Sequence, residues 1–178
     1  MSEIAEWKEA VGYDVFLANA RENVELMKAR FNDVMLNETE EELLMSIKNE
    51  IKILVIGTDR CNDTAGNLPV LARMVSISPK VELRILDSDS NSRLHQEFSV
   101  NGKRKTPVVL FLSNELKELC RWIERPNAAY KIMNENDLSL EDRRKKLKRL
   151  YSDPEILRQS LGELLDLLYR ADLLLGRR

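Results

Sequence analysis

Residues 51–64 read IKILVIGTDRCNDT, an apolar run that gives way abruptly to polar residues around a single cysteine. Ile51 to Gly57 is rich in branched aliphatics and too short for a helix, the pattern of a largely buried strand. From residue 62 to 77 the spacing turns helical, with Leu68, Leu71 and Val75 apolar and Pro69 tolerable only in a first turn. Cys61 therefore falls just ahead of a helix, where a buried strand ends.

Working outward, Val81 to Leu86 (VELRIL) reads as a second strand and Ser92 to Phe98 as a short helix. Pro107 to Leu112 (PVVLFL) is a third strand, Ser113-Asn114-Glu115 a turn, and Leu116 to Ile123 a fourth strand completing a hairpin. The first two strands, joined by a helix, are expected as parallel neighbours through a right-handed crossover. The last two are too close for a crossover and must be antiparallel. The fold class is therefore α/β, with a mixed four-stranded sheet and helices on both faces.

Both flanks read as helical. Ile4, Trp7, Val11, Val15 and Phe16 recur at three to four residues with Gly12 as an interruption, and Val24, Met27, Phe31, Val34 and Met35 continue on a second helix. Thr39 is the expected N-cap of a third, with acids in its first turn. Beyond Asn127 the chain is helical again, Ser139 or Ser152 serving as caps and Leu157, Leu161, Leu164, Leu165 and Leu168 forming an apolar face. The division is 1–50 for N-terminal helices, 51–126 for the core and 127–178 for a C-terminal helical extension, all within one compact domain.

Composition narrows the function. With 178 residues, 43% hydrophobic and 33% charged, the chain can bury one proper core. A net charge of −2 provides no global basic field for nucleic acid or an anionic membrane. The N-terminus MSEIAEWKEA lacks the basic and apolar regions of a secretory signal, and no apolar stretch suggests a membrane span. Two cysteines and one histidine make neither a disulfide framework nor a zinc site. The expectation is a cytoplasmic protein with free thiols, no metal and no cofactor.

From Ile51 to Pro126 the sequence resembles the thioredoxin superfamily. The strand ILVIG entering Thr58-Asp59-Arg60-Cys61-Asn62-Asp63-Thr64, the segment from Asp87 to Val100, and Thr106-Pro107 opening the third strand carry the likeness. Asn67-Leu-Pro-Val-Leu and Arg121-Trp-Ile-Glu-Arg-Pro126 also look like a bacterial and archaeal branch of small thioredoxin-like proteins. The resemblance implies a cis-proline at Pro107 facing Cys61. The departures are specific: Thr64 stands where the family has its second cysteine, Arg60 where a tryptophan is common, and Val55 where a buried acid assists proton transfer.

A cysteine ahead of a helix feels the helix's positive end, so thiolate is favoured. Arg60 adds charge and Thr64 is expected to donate to the sulfur, making Cys61, Thr64 and Arg60 the catalytic candidates. Thr106, Pro107 and Lys105 are the substrate-binding candidates, with Lys103, Arg104 and Lys105 able to hold a carboxylate. Without a second sulfur in the motif, a mixed disulfide must be resolved by glutathione, another small thiol or a protein partner. The alternative is a binding or regulatory module of the same fold that has lost redox activity.

Cys120 is expected as a packed strand residue, out of reach of Cys61, and His95 on an exposed helix face. Asp87-x-Asp89-x-Asn91 begins like a calcium loop but has Ser92 and Phe98 where glycine and glutamate belong, so Asn91 or Ser90 is read as a helix cap. The basic run Arg143 to Arg149 reads as a solvated helix face rather than a nucleic-acid patch. The leucine-rich terminal helix packs on the domain or, alternatively, forms a homodimer surface.

Overall fold

A computed structural model describes residues 4–134 and 139–176 of the chain. The expected helical continuity through 135–138 and the extreme ends of both extensions lie outside the described residues.

Strands β1 (Ile51–Gly57), β2 (Val81–Asp87), β3 (Val108–Leu112) and β4 (Glu118–Ile123) form one sheet in the order β2-β1-β3-β4. β1 and β2 are parallel, from Ile51 opposite Val81 to Gly57 opposite Asp87. β3 runs antiparallel to both β1 and β4, so the sheet is mixed. The fourth strand starts two residues later than the sequence suggests. Leu116 occupies the left-handed region (φ 59°), and the Ser113 amide closes the turn on the Lys117 carbonyl. The β3–β4 register also slips between Phe111 and Leu112.

Both central strands are buried nearly throughout, and successive side chains alternate between two cores. Ile51, Ile53 and Val55 of β1 join Val109 and Phe111 of β3 in the larger core, whereas Leu54, Ile56, Val108, Leu110 and Leu112 face a second. That period of two is what a strand between two covered faces requires.

On the first face lie α4 (Asn62–Ile77) and the terminal α8 (Pro154–Leu175), with Val34, Leu44 and Ile47 of the N-terminal extension in the same core. On the other face, Trp7, in a 3-10 turn at Ala5–Lys8, packs with Leu94 and Phe98 around α5 (Ser92–Glu97). The remaining N-terminal helices are α1 (Tyr13–Asn19), α2 (Val24–Asp33) and α3 (Glu38–Met45). Between the 3-10 turn and α1, Val11 exchanges both backbone hydrogen bonds with Ile85, at 2.9 and 2.7 Å, on the outer edge of β2.

Several local expectations are corrected. Asn37, not Thr39, caps α3, because Asn37 and Glu40 satisfy each other's backbone amides at 3.0 and 2.9 Å. Pro69 is the eighth residue of α4, inside the helix rather than in its first turn. Asn91 holds the N-cap position of α5, but its side chain makes no cap hydrogen bond; Asp87 Oδ1 instead gathers the amides of Asp89 and Ser90 and the Ser90 hydroxyl. His95 is buried, 4% exposed, and its Nε2 donates to the Lys105 carbonyl at 2.8 Å. It points inward because Leu94, His95 and Phe98 share one face of a single short turn.

The C-terminal extension comprises α6 (Asn127–Asn134), α7 (Leu140–Leu150) and α8. Ser139 caps α7 by accepting from the Asp142 amide at 3.1 Å; Asp153, rather than Ser152, caps α8. Tyr151, where α7 meets α8, is 2% exposed and anchors a small core with Ala129, Met133, Leu147, Leu150 and Ile156.

Its ring rests on α4 where Gly66 leaves room: a Cβ at residue 66 would stand 2.3 Å from the ring. Gly66→Ala is therefore expected to lower the urea midpoint, with overpacking of about 1–3 kcal/mol outweighing the helix-propensity gain of about 1 kcal/mol. Gly162→Ala, on the exposed side of α8 with nothing within 4 Å, is expected to raise the midpoint.

Candidate functional site

Cys61 is the N-cap residue of α4, extended at φ −89°, ψ 122°. Its carbonyl accepts from the Ala65 amide at 2.9 Å, so it opens the helix. The sulfur is half-buried and lies 3.5 Å from the Thr106 carbonyl, to which the thiol donates. The Thr106–Pro107 peptide is cis, and Pro107 is buried at the start of β3. Cys61, Thr106 and Pro107 are thus brought together at one mouth.

The other candidates point elsewhere. The Arg60 guanidinium is exposed and engaged by Asp89, so its charge is shared with a carboxylate rather than spent on the sulfur. Thr64 is fully buried, and among the described residues its hydroxyl has no hydrogen-bond partner. It is pressed against the end of β1, where a Cβ on Gly57 would come within 2.8 Å of it. The expected bond from Thr64 to the sulfur is therefore not formed. Lys105 is ion-paired to Glu124 at 3.0 Å, which leaves Lys103 and Arg104 as the exposed cations of that loop.

Cys120 pairs with Phe111 across the hairpin, and its thiol donates to the Leu167 carbonyl at 3.4 Å. Burial pushes its pKa up to about 11, so it stays protonated at neutral pH. It sits four residues along the ladder from the Pro107 end, about 13 Å at strand rise, beyond the reach of a disulfide to Cys61.

Two acids missed in the sequence organise the site. Asp59 accepts from the Arg21 and Glu22 amides at 2.6 and 3.1 Å, tying the loop before Cys61 to the α1–α2 connection. Burial would raise its pKa, but those amides outweigh it and hold the carboxylate below its usual range.

Asp63, in the first turn of α4, is 3% exposed. Its Oδ1 accepts from Tyr151 Oη at 2.5 Å and its Oδ2 from Arg125 at 2.8 Å. Asn67 donates to both the Asp63 carbonyl and Tyr151 Oη, while Ser160 Oγ holds Asn67 from α8. Burial is the dominant influence and lifts the Asp63 pKa from 3.8 to about 6, against the pull of Arg125 and Tyr151. Glu124 meets Arg125, Lys105 and Tyr130; although burial opposes it, the hydrogen bond from Tyr130 and the two cations hold it ionised below its usual range. The available signal was an acid two residues past the cysteine, in a helix turn that the sheet must bury.

A family model described as thioredoxin matches residues 11–147. The chain belongs to this thioredoxin family. Among solved structures, a crystal structure of a Pseudomonas aeruginosa protein of unknown function is 22% identical, with a TM-score of 0.73 and coverage of 94% of this chain and 98% of that one. A crystal structure of an HIV epitope-scaffold is likewise 22% identical, with a TM-score of 0.70 and the same coverages. These likenesses establish the fold of the thioredoxin-family chain over nearly its full length. No curated protein matches the sequence. Among the described residues there is no helix long and apolar enough to cross a membrane, and no cluster of potential metal ligands.

The raised Asp63 pKa has a definite sign in stability. The folded state holds this proton to about pH 6 and the unfolded chain only to about 3.8, so stability from the protonated form is complete below pH 4 and is lost as pH rises through 6. Relative to wild type, Asp63→Asn is expected to gain stability between pH 4 and 7, on the order of 3 kcal/mol. Urea titrations of both proteins across that range measure it; parallel curves would contradict the assignment.

Proposed function

We propose that this thioredoxin-family protein carries out monothiol thiol–disulfide exchange through Cys61. One observation carries the reading: the sulfur caps α4, half-exposed, 3.5 Å from the Thr106 carbonyl on the loop that ends at cis-Pro107. Cys61 Sγ, having released its proton to water, attacks one sulfur of a disulfide. The new S–S bond forms as the old one breaks, and the departing sulfur leaves as a thiolate that takes up a proton. The Cys61 sulfur is oxidised as the departing sulfur is reduced, so no external oxidant is needed. With Thr64 in the second position and Cys120 out of reach, an external thiol resolves the mixed disulfide, glutathione or a protein thiol being the chemical classes suited to it. Thr106 and Pro107 form the edge against which the substrate's extended chain lies.

The second reading is a thioredoxin-fold binding module without turnover. It is favoured by the engagement of Arg60 with Asp89 and of Lys105 with Glu124, and by the turning of the Thr64 hydroxyl away from the sulfur.

The reduced chain is expected to take up one glutathione from oxidised glutathione, at Cys61, and to release it on addition of excess reduced glutathione. Cys61→Ser should abolish uptake and Cys120→Ser leave it unchanged, as read by intact-protein mass spectrometry. Absence of an adduct on the native chain, under conditions that modify the urea-unfolded chain, would favour the binding module.

A further inference from the structure

Arg125 stands where the two sides of the thiol mouth meet. Its Nη2 lies 2.8 Å from Asp63 Oδ2 and 2.9 Å from Glu124 Oε1, and its guanidinium stacks over the Tyr130 ring at 5.4 Å. Asp63 belongs to the helix turn that begins at Cys61. Glu124 belongs to the proline side: its amide donates to the Pro107 carbonyl at 2.8 Å, and its carboxylate also holds Lys105. The two ion pairs therefore run from the sulfur-bearing turn to the residue bonded to cis-Pro107. Arg125 itself is largely buried, 13% exposed at its side chain, where a charge is weakly screened.

The groups facing Asp63 are few. Arg125 and Glu124 approach from the segment after β4, Tyr151 from the end of α7 and Tyr130 from α6, and Lys105 is coupled to it through Glu124. Thr64 and Asn67 of α4 bring no charge.

We propose that Arg125 is the positioning residue of the Cys61 site and Asp63 its counter-charge. Arg125 fixes the spacing between the helix turn and the proline strand and contributes positive potential at the mouth. Ionised Asp63 offsets that potential and so moderates the sulfur's nucleophilicity. This role deepens, and rests on, the reading of Cys61 as an exchange thiol.

A brace and a charge pair differ in sign. Were the ion pairs only a brace, removing either partner would loosen the mouth, and both changes would move Cys61 reactivity the same way. A charge pair moves it in opposite ways, because losing the acid favours thiolate and losing the base disfavours it. Asp63 adds a pH signature, since it carries charge only above about pH 6.

The test is the rate of Cys61 alkylation by iodoacetamide in the full chain from pH 4.5 to 8.5, followed on the Cys61 peptide by mass spectrometry. Asp63→Asn is expected to react about fivefold faster than wild type at pH 7, the effect of one unit charge nearby at intermediate dielectric, and to merge with wild type near pH 5. Arg125→Met is expected to react slower by a similar factor, with Arg125→Lys recovering most of the loss. Shifts in the same direction, or superimposed profiles in variants with native circular dichroism, overturn the proposal. Should Arg125→Met not fold, Asp63→Asn decides alone by whether its profile diverges from wild type only above pH 6. Glutathione exchange is scored separately. No exchange with the divergence present defeats the exchange reading and leaves the charge pair standing, whereas normal exchange with superimposed profiles defeats the charge pair alone.

Discussion

A carboxyl group buried in the first turn of α4 must find compensation from groups that the local sequence does not supply. An unpaired carboxylate in an interior is too costly to persist, so the chain either protonates it or surrounds it with donors. At Asp63 both occur. Arg125 arrives from beyond the last strand and Tyr151 from the end of α7, while Asn67 and Ser160 align the tyrosine hydroxyl. The C-terminal extension is joined to the site helix by this network, and the ring of Tyr151 fits because residue 66 has no side chain.

The same network explains why the mouth has a fixed shape. Cys61 caps α4 and Pro107 opens β3, elements joined to each other by β1 and by the Asp63–Arg125–Glu124 chain. On the opposite flank, Asp59 receives the amides of residues 21 and 22, so the loop that delivers Cys61 is held by the N-terminal helices as well. Both extensions thereby contribute contacts to the architecture of the site, in addition to covering the sheet.

What could be read from the sequence was whatever depends on short-range pattern. The strand at Ile51–Gly57 and the helix at Asn62–Ile77 were legible because apolar period and length agree there, and the mixed sheet followed from connection lengths alone. Cys61 and Pro107 could be placed opposite one another by resemblance. Side-chain direction could not. Thr64 lies one turn past Cys61, as a ligand to the sulfur would, yet the closeness of Gly57 turns it into the core. Lys105 and Arg60 read as free cations because Glu124 and Asp89 lie 19 and 29 residues away. His95 is buried for a reason equally remote in sequence: its acceptor, the Lys105 carbonyl, lies ten residues on, in a loop whose path no periodicity describes. Arg125 and Tyr151, 62 and 88 residues from Asp63, were beyond any local signal.

The paired hydrogen bonds between Val11 and Ile85 bear on how copies of this protein behave when crowded. β2 is a border strand, and a border strand with free amides and carbonyls is a template on which another chain can crystallise its own backbone. Here the rung at Ile85 is already taken from within, and a newcomer would have to peel the N-terminal segment away before a continuous ladder could form. The short stretch ahead of α1 thus acts as a stopper on the sheet, turning a potential seam between molecules into a closed one.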